Sequence, residues 1–226
     1  MDLRVESLAD HPELLEQAGL LRWKEWAYGA QDPAPFIDVT AKETGRSGQL
    51  PMTLVAIDVA GGVVGVVGLG PVDDDLSATE RSGRTPWILG MVVRTESRKL
   101  GVGRQLLESL QGVAASLGHP RTWVATGDEA VGFYQRCGWE AVEHLRLQST
   151  GIPTTILMRP TKAIAAELDP SSDLGRRRKR KIVSPQGCNW GCSSPPFGPV
   201  QPSTRLLADL RPVHPRTPMH WPLASF

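Results

Sequence analysis

The sequence predicts an α/β domain: a mixed, mostly antiparallel sheet flanked by helices, with a disordered C-terminal tail. Three observations carry this expectation. Strand-like and helix-like apolar patterns succeed one another in the order β-α-α-β-β-β-α-β-α-β-β over residues 3–159. The most regular helical stripe follows directly on an apolar strand, across a short glycine-rich and basic segment. The composition then breaks near Pro160. Residues 1–160 carry 15 Lys+Arg against 20 Asp+Glu, whereas residues 161–226 carry 10 against 4 and hold ten of the 19 prolines. The overall charge of +1 conceals two unlike parts.

In chain order, "LRVESLAD" supplies a short first strand. Asp10 then reads as an N-cap, with Pro12 in the first turn and Glu13 at capping-box spacing. The helix behind it carries Leu14, Leu15, Ala18 and Leu21 at core spacing and ends near Trp23 and Trp26. A second short helix is expected within residues 34–45. "MTLVAIDVAGGVVGVVGLGPV" reads as a hairpin turning at Gly61-Gly62, a pair that accepts positive φ. Residues 73–86 form a polar loop. "WILGMVV", apolar at nearly every position, is a fourth strand in the middle of the sheet.

Residues 101–118 give the clearest helix. Val102, Leu106, Leu107, Leu110, Val113, Ala114 and Leu117 make one stripe, with Arg104, Gln105, Glu108 and Gln111 opposite. "RTWVAT" is a fifth strand. Residues 129–137 form a short helix ended by Gly138. "WEAVEHLRL" and "TTILMR" are two last strands around a turn at 149–151.

Several classes are excluded early. No apolar run approaches the ~20 residues of a membrane span, and "MDLRVESLADHPELL" has no basic-then-apolar signal pattern, so a cytoplasmic protein is expected. Cys137, Cys188 and Cys192 make no disulfide framework.

The segment "RKLGVGRQLL", residues 98–107, points to a ligand. At a helix start, four N–H groups lack internal partners, and the helix dipole adds about half a positive charge. Gly101 and Gly103 let a ligand approach that backbone, and Arg98, Lys99 and Arg104 add full charges. Such a site suits phosphate, most naturally a diphosphate. Two other phosphate motifs fail. There is no G-x-x-x-x-G-K-[ST] run, and the third glycine of a dinucleotide fingerprint is replaced by Leu106.

"VVRTESRKLGVGRQLL" resembles the acetyl-CoA signature of the GCN5-related N-acetyltransferase (GNAT) family, Arg/Gln-x-x-Gly-x-Gly/Ala, through Arg98, Gly101 and Gly103. Downstream, "EAVGFYQRCGWE" resembles a second family segment, through Ala130, Phe133, Tyr134, Gly138 and Trp139. Two signatures in order, on the expected elements, extend the resemblance over about residues 3–159. It implies a GNAT-type fold and an N-acetyltransferase that moves acetyl from acetyl-CoA to a primary amine by direct attack. Strands four and five would splay around the co-substrate. Its pantetheine arm would pair along Met91, Val92 and Val93, and its pyrophosphate would sit on the amides of Lys99, Leu100, Gly101, Val102, Gly103 and Arg104.

That chemistry needs a neutral amine, a polarised carbonyl and a proton donor for the leaving thiolate. Tyr134 is the candidate donor. The strand-four Glu of many family members is missing from "WILGMVV". Asp128 and Glu129, acting directly or through water, are candidate bases, and each also serves as a helix N-terminal charge. His144 and a water chain are further alternatives. For the acceptor pocket the resemblance implies Trp23, Trp26, Tyr28, Phe36 and the 147–154 turn. "HPELLEQAGLLRWKEW" is similar to the opening helix of actin-type N-terminal acetyltransferases. The acidic run Asp73–Asp75 is compatible with a cationic amine, and equally with a solvated loop.

A small-molecule or peptide amine is thus the expected partner, with no membrane, and a homodimer is left open. In the tail, "RRRKRK" at 176–181 is a basic block that reads as a solvated charge run rather than a nucleic-acid site. Cys188 and Cys192 with His214 and His220 miss structural zinc spacings, so no metal is expected. The alternative function is a non-catalytic CoA-binding or partner-binding module on the same fold.

Overall fold

A computed structural model describes residues 2–161, apart from Tyr28, Ala30 and Ser47. The tail, with the basic block and the Cys/His set, lies outside the described residues. One seven-stranded sheet organises the chain, in the order β1-β2-β3-β4-β5-β7-β6. Its strands are β1 (Leu3–Ser7), β2 (Met52–Asp58), β3 (Val63–Gly70), β4 (Trp87–Val93), β5 (Arg121–Thr126), β6 (Glu140–Arg146) and β7 (Pro153–Pro160). All neighbours are antiparallel except β4 and β5, which run parallel. The helices are α1 (Leu15–Trp26), α2 (Ala34–Glu43), α3 (Ala78–Arg81), α4 (Val102–Ser116) and α5 (Asp128–Arg136). Among the described residues no helix is long and apolar enough to cross a membrane.

Helices cover both faces of the sheet. On one face α4 sets Leu106, Leu107 and Leu110, all fully buried, against Leu54, Ala56 and Val67. Each such side chain contributes about 1.5–3 kcal/mol of burial energy. On the other face Ala18, Leu21 and Trp26 of α1 and Phe36 of α2 pack on Val55, Ile57, Val66 and Val92. This two-sided burial is why β2, β3 and β4 read as continuous apolar runs rather than alternating ones. β6, at the edge, is largely exposed.

The structure corrects the start of the first helix. Leu8–Asp10 and Pro12–Leu14 form two 3-10 turns, and α1 begins at Leu15 with no side-chain cap. Glu13 accepts from the His11 ring, at 3.1 Å from Nδ1, instead of reaching back to Asp10. The capping box of this chain lies in the stretch read as a loop. The Ser77 hydroxyl accepts from the Glu80 N–H at 3.3 Å, and the Glu80 carboxylate accepts from the Ser77 N–H at 2.6 Å. This pair closes α3, a single turn too short for hydrophobic periodicity to show.

Candidate active site

The site begins with a break in the sheet. β4 pairs with β3 from Gly65↔Val93 to Gly70↔Trp87, but the register slips between Val66↔Val92 and Gly68↔Leu89. The extra β4 residue makes a bulge, and Gly90 within it has φ +47°. A Cβ at Gly90 would also stand 2.9–3.0 Å from the Arg22 guanidinium. Arg22 is fully buried; its Nε donates to the Gly90 carbonyl at 3.1 Å. Its Nη1 donates to the Glu43 carboxylate at 2.7 Å and to the Thr40 hydroxyl at 3.2 Å. A buried ion pair therefore ties α1 and α2 to the bulge. On the opposite side, β4 meets β5 in register only at Trp87↔Trp123. Beyond that pair the two strands part, leaving Met91–Val93 with no ladder on their β5 side.

A cavity of about 70 Å³ occupies this gap, lined by Gly90 and Met91 of β4, Val124–Thr126 of β5, Trp26, Asp73 and Tyr134. Tyr134 is 3% exposed, and its hydroxyl donates to the Met91 sulfur at 3.7 Å. Phe133 and Trp139 hold its ring edge-on, with centroids 5.3 and 5.8 Å away. Burial pushes the phenol far above its ordinary range, and Cys137 adds to the rise. The O–H is thus protonated at any working pH, as a proton donor requires.

Asp73 is a buried carboxyl at this cavity that the sequence showed only as part of an acidic run. It follows β3, is 8% exposed, and is pushed up to about 7 by burial, with Asp75, Asp74 and Glu43 adding negative charge. Its carboxylate accepts from the Asp75 N–H at 3.1 Å, which pulls weakly the other way. The available signal was three consecutive aspartates directly after a strand. Nothing in the sequence marks the first as buried.

At the far end of β4, a groove of about 400 Å³ runs past Val93, Arg98, Lys99, Gly101, Gly103, Arg104, Glu129, Phe133 and Arg136. Gly101 is the residue before α4, in the left-handed region at φ +88°, and a Cβ there would meet open space. Lys99 is also left-handed, at φ 62°. The first α4 bond closed by an amide runs from the Gln105 N–H to the Gly101 carbonyl, at 3.0 Å, so the earlier amides form the open end of the helix. Gly103 is different: its Cβ would press on Met91 Cε and Phe133 Cζ at 3.1 Å, so its smallness serves packing. Val102 is core, and Leu100 is 60% exposed. Arg98 is committed to structure. Its Nε donates to the Val93 carbonyl at 2.9 Å and its Nη2 to Glu25 at 2.6 Å, which clamps the loop to β4 and α1.

The structure thus brings Met91, Tyr134 and Trp26 to one cavity, and Val93, Lys99, Gly101 and Arg104 to a groove at the end of β4. Asp128 and Glu129 are exposed at the start of α5; Glu129 borders the groove, away from the Asp73 cavity. His144 pairs with the Thr155 hydroxyl at 2.9 Å on the edge strand. Phe36 is buried in the α1/α2 core, and Trp23 packs partly buried against it. Tyr28 lies outside the described residues.

A cationic groove at an open helix end suits a diphosphate, and an unladdered β4 edge suits an amide-bearing arm. A family model described as the acetyltransferase (GNAT) family matches residues 10–139, more than half of the chain. The chain belongs to this family. It is an acyl-CoA-dependent N-acetyltransferase with acetyl-CoA as co-substrate. Solved structures agree on the fold. An aminoglycoside 6'-N-acetyltransferase complexed with coenzyme A is 15% identical, with a TM-score of 0.55, covering 72% of this chain and 98% of its own. A spermidine N-acetyltransferase chimera from Vibrio cholerae and hSSAT is 16% identical, at TM-score 0.52, covering 71% and 96%. An N-acetyltransferase of ribosomal-protein alanine from Escherichia coli is 16% identical, at 0.52, covering 74% and 98%. No curated protein sequence matches.

Proposed function

We propose that this GNAT enzyme acetylates a primary amine by direct attack on the thioester of acetyl-CoA, with Tyr134 protonating the departing sulfur. The observation that carries this reading is the position of the Tyr134 hydroxyl. It lies in the gap between β4 and β5, 3.7 Å from Met91 of the unladdered strand, and burial keeps it protonated. In the same reading the α4 amides with Lys99 and Arg104 hold the pyrophosphate, while Arg98 acts indirectly by fixing that loop. Trp26 borders the acceptor end of the cavity.

Tyr134→Phe tests it. The ring keeps its contacts with Phe133 and Trp139, and only the O–H is lost. General-acid help is worth about 10²–10⁴-fold, so kcat should fall by that range while CoA affinity by calorimetry stays unchanged. A kcat within about threefold of the parent, on the same scale, would return Tyr134 to a packing role.

A further inference from the structure

We propose that Asp73 accepts the ammonium proton of a polycationic primary-amine acceptor, which enters over the acidic loop of residues 73–75. The inference rests on the acetyl-transfer reading above and adds the base and the acceptor class. A primary ammonium titrates near ~10 and cannot attack until it loses a proton, so some group near the cleft must take it.

Asp73 stands where that transfer has to happen. It lines the cavity that holds Tyr134 and the β4–β5 gap. It also lines an outer hollow of about 450 Å³ with Glu43, Asp74 and Asp75. That hollow lies beside Leu89 and Gly70, while the cationic groove lies beyond Val93, at the other end of β4. The acceptor therefore has its own entrance, opposite the nucleotide end.

The charges facing Asp73 select a cation. Asp74 and Asp75 lie on its own loop, Glu43 on α2, and neutral Tyr134 on α5. The basic groups nearby are committed or peripheral. Arg81 donates to the Asp73 carbonyl at 3.1 Å and to the Asp74 carboxylate at 3.4 Å; Arg22 holds Glu43; Lys42 borders the outer hollow. Among the described residues no cation is paired with the Asp73 carboxylate itself. Side-chain burial supports the role, since a carboxyl titrating near 7 is matched to proton transfer at neutral pH.

The loop is also anchored. Glu80 accepts from the Gln148 N–H at 3.1 Å, and the Ser149 hydroxyl donates to the Asp75 carbonyl at 3.4 Å. The α3 turn and the β6–β7 turn thereby hold Asp73 in place.

The step balances as follows. The ammonium gives one proton to an Asp73 oxygen. The freed nitrogen lone pair forms the C–N bond at the thioester carbon, and the C–S bond breaks with its electron pair on sulfur. Sulfur takes the Tyr134 proton, and the surplus proton on nitrogen restores Tyr134. Asp73 passes its proton to water. The products are the N-acetyl amine, CoA thiol and one proton.

The test uses the full chain with acetyl-CoA and two probes, spermidine and kanamycin, followed by thiol release between about pH 5.5 and 9. The parent should acetylate at least one of them, with kcat/KM falling on the acid side of neutrality. Asp73→Asn should lose about 10²–10⁴-fold in kcat/KM, lose that acid limb, and bind CoA as before. Carbon-13 titration of labelled aspartates in the parent should show one carboxyl titrating near neutrality, absent in the variant. Turnover of neither probe by a CoA-binding parent would overturn the acceptor class. An unchanged limb and rate in the variant would overturn the base. Failure of the parent to bind CoA would remove the underlying acetyl-transfer reading.

Discussion

Asp73→Asn has a second consequence, in stability, that requires no substrate. A carboxyl pushed from its ordinary 3.8 up to about 7 holds a proton in the folded state that the unfolded chain has already released. Between those values the folded state binds more protons, so stability falls as pH rises. Each pK unit is worth about 1.4 kcal/mol. The displacement of about three units therefore removes about 4 kcal/mol by the time the pH passes 7. Below pH 4 the penalty is absent, because both states are protonated.

Asparagine cannot ionise. Its side-chain oxygen can still accept the Asp75 N–H, so the loop keeps that contact. The two proteins should match in stability near pH 4 and diverge steadily above it. Near pH 8 the variant should lead by up to about 4 kcal/mol, which for a folded unit of this size corresponds to at least about 8 °C in Tm. Urea unfolding at a series of pH values, with the midpoint and slope fitted at each, reads the difference directly. Parallel curves across the whole range would refute the reasoning. They would mean that the carboxylate is solvated in solution and that its proton affinity is ordinary.

Two further substitutions probe the cationic groove and the pair that holds the β4 bulge. Arg104→Glu places a negative charge at the cationic groove on a side chain whose bond to the Arg136 carbonyl is long, at 3.4 Å; CoA affinity by calorimetry should drop about tenfold or more, with the loss shrinking at high salt. Arg22→Met leaves Glu43 and the Gly90 carbonyl without their shared donor, so unfolding free energy should fall by about 3–5 kcal/mol, and Arg22→Lys should restore only part of it because one ammonium cannot span all three acceptors.

The sheet and its helices were legible because their signals are local and repeated. The stripe from Val102 to Ala114 states both a helix and its buried face, and the strand "WILGMVV" sits in the middle of the sheet, as its uninterrupted apolar run required. The glycine segment was legible too, though its parts divide differently from their appearance. Gly101 carries the left-handed turn, Gly103 makes room for Met91 and Phe133, and Arg98 spends its charge on Glu25 and Val93. Equal spacing in sequence hides these distinctions, since they depend on what packs against each residue from elsewhere in the chain. The same is true of Arg22 and Asp73. One lies on an amphipathic helix and the other in a polar loop, where charged residues ordinarily face water. Their burial arises from contacts made 68 positions away in the case of Arg22 and Gly90, which no local pattern records.

The groove beyond Val93 and the hollow beside Leu89 are lined by opposite charges. The strands meet in register only at Trp87↔Trp123 and part from there toward Val93. At the Val93 end the open amides of α4 meet Lys99, Arg104 and Arg136, which suits an anionic nucleotide. At the Leu89 end the loop after β3 meets Glu43, which suits a cation. A uniform field over the whole cleft would favour one reactant and repel the other. In the proposed reaction, dividing the field would let each reactant approach from its own side. At that second end Glu43 is paired with the buried Arg22. Arg22 offsets Glu43's share of the negative field, so the acidic end rests chiefly on Asp73, Asp74 and Asp75, while the same guanidinium holds the Gly90 bulge in shape.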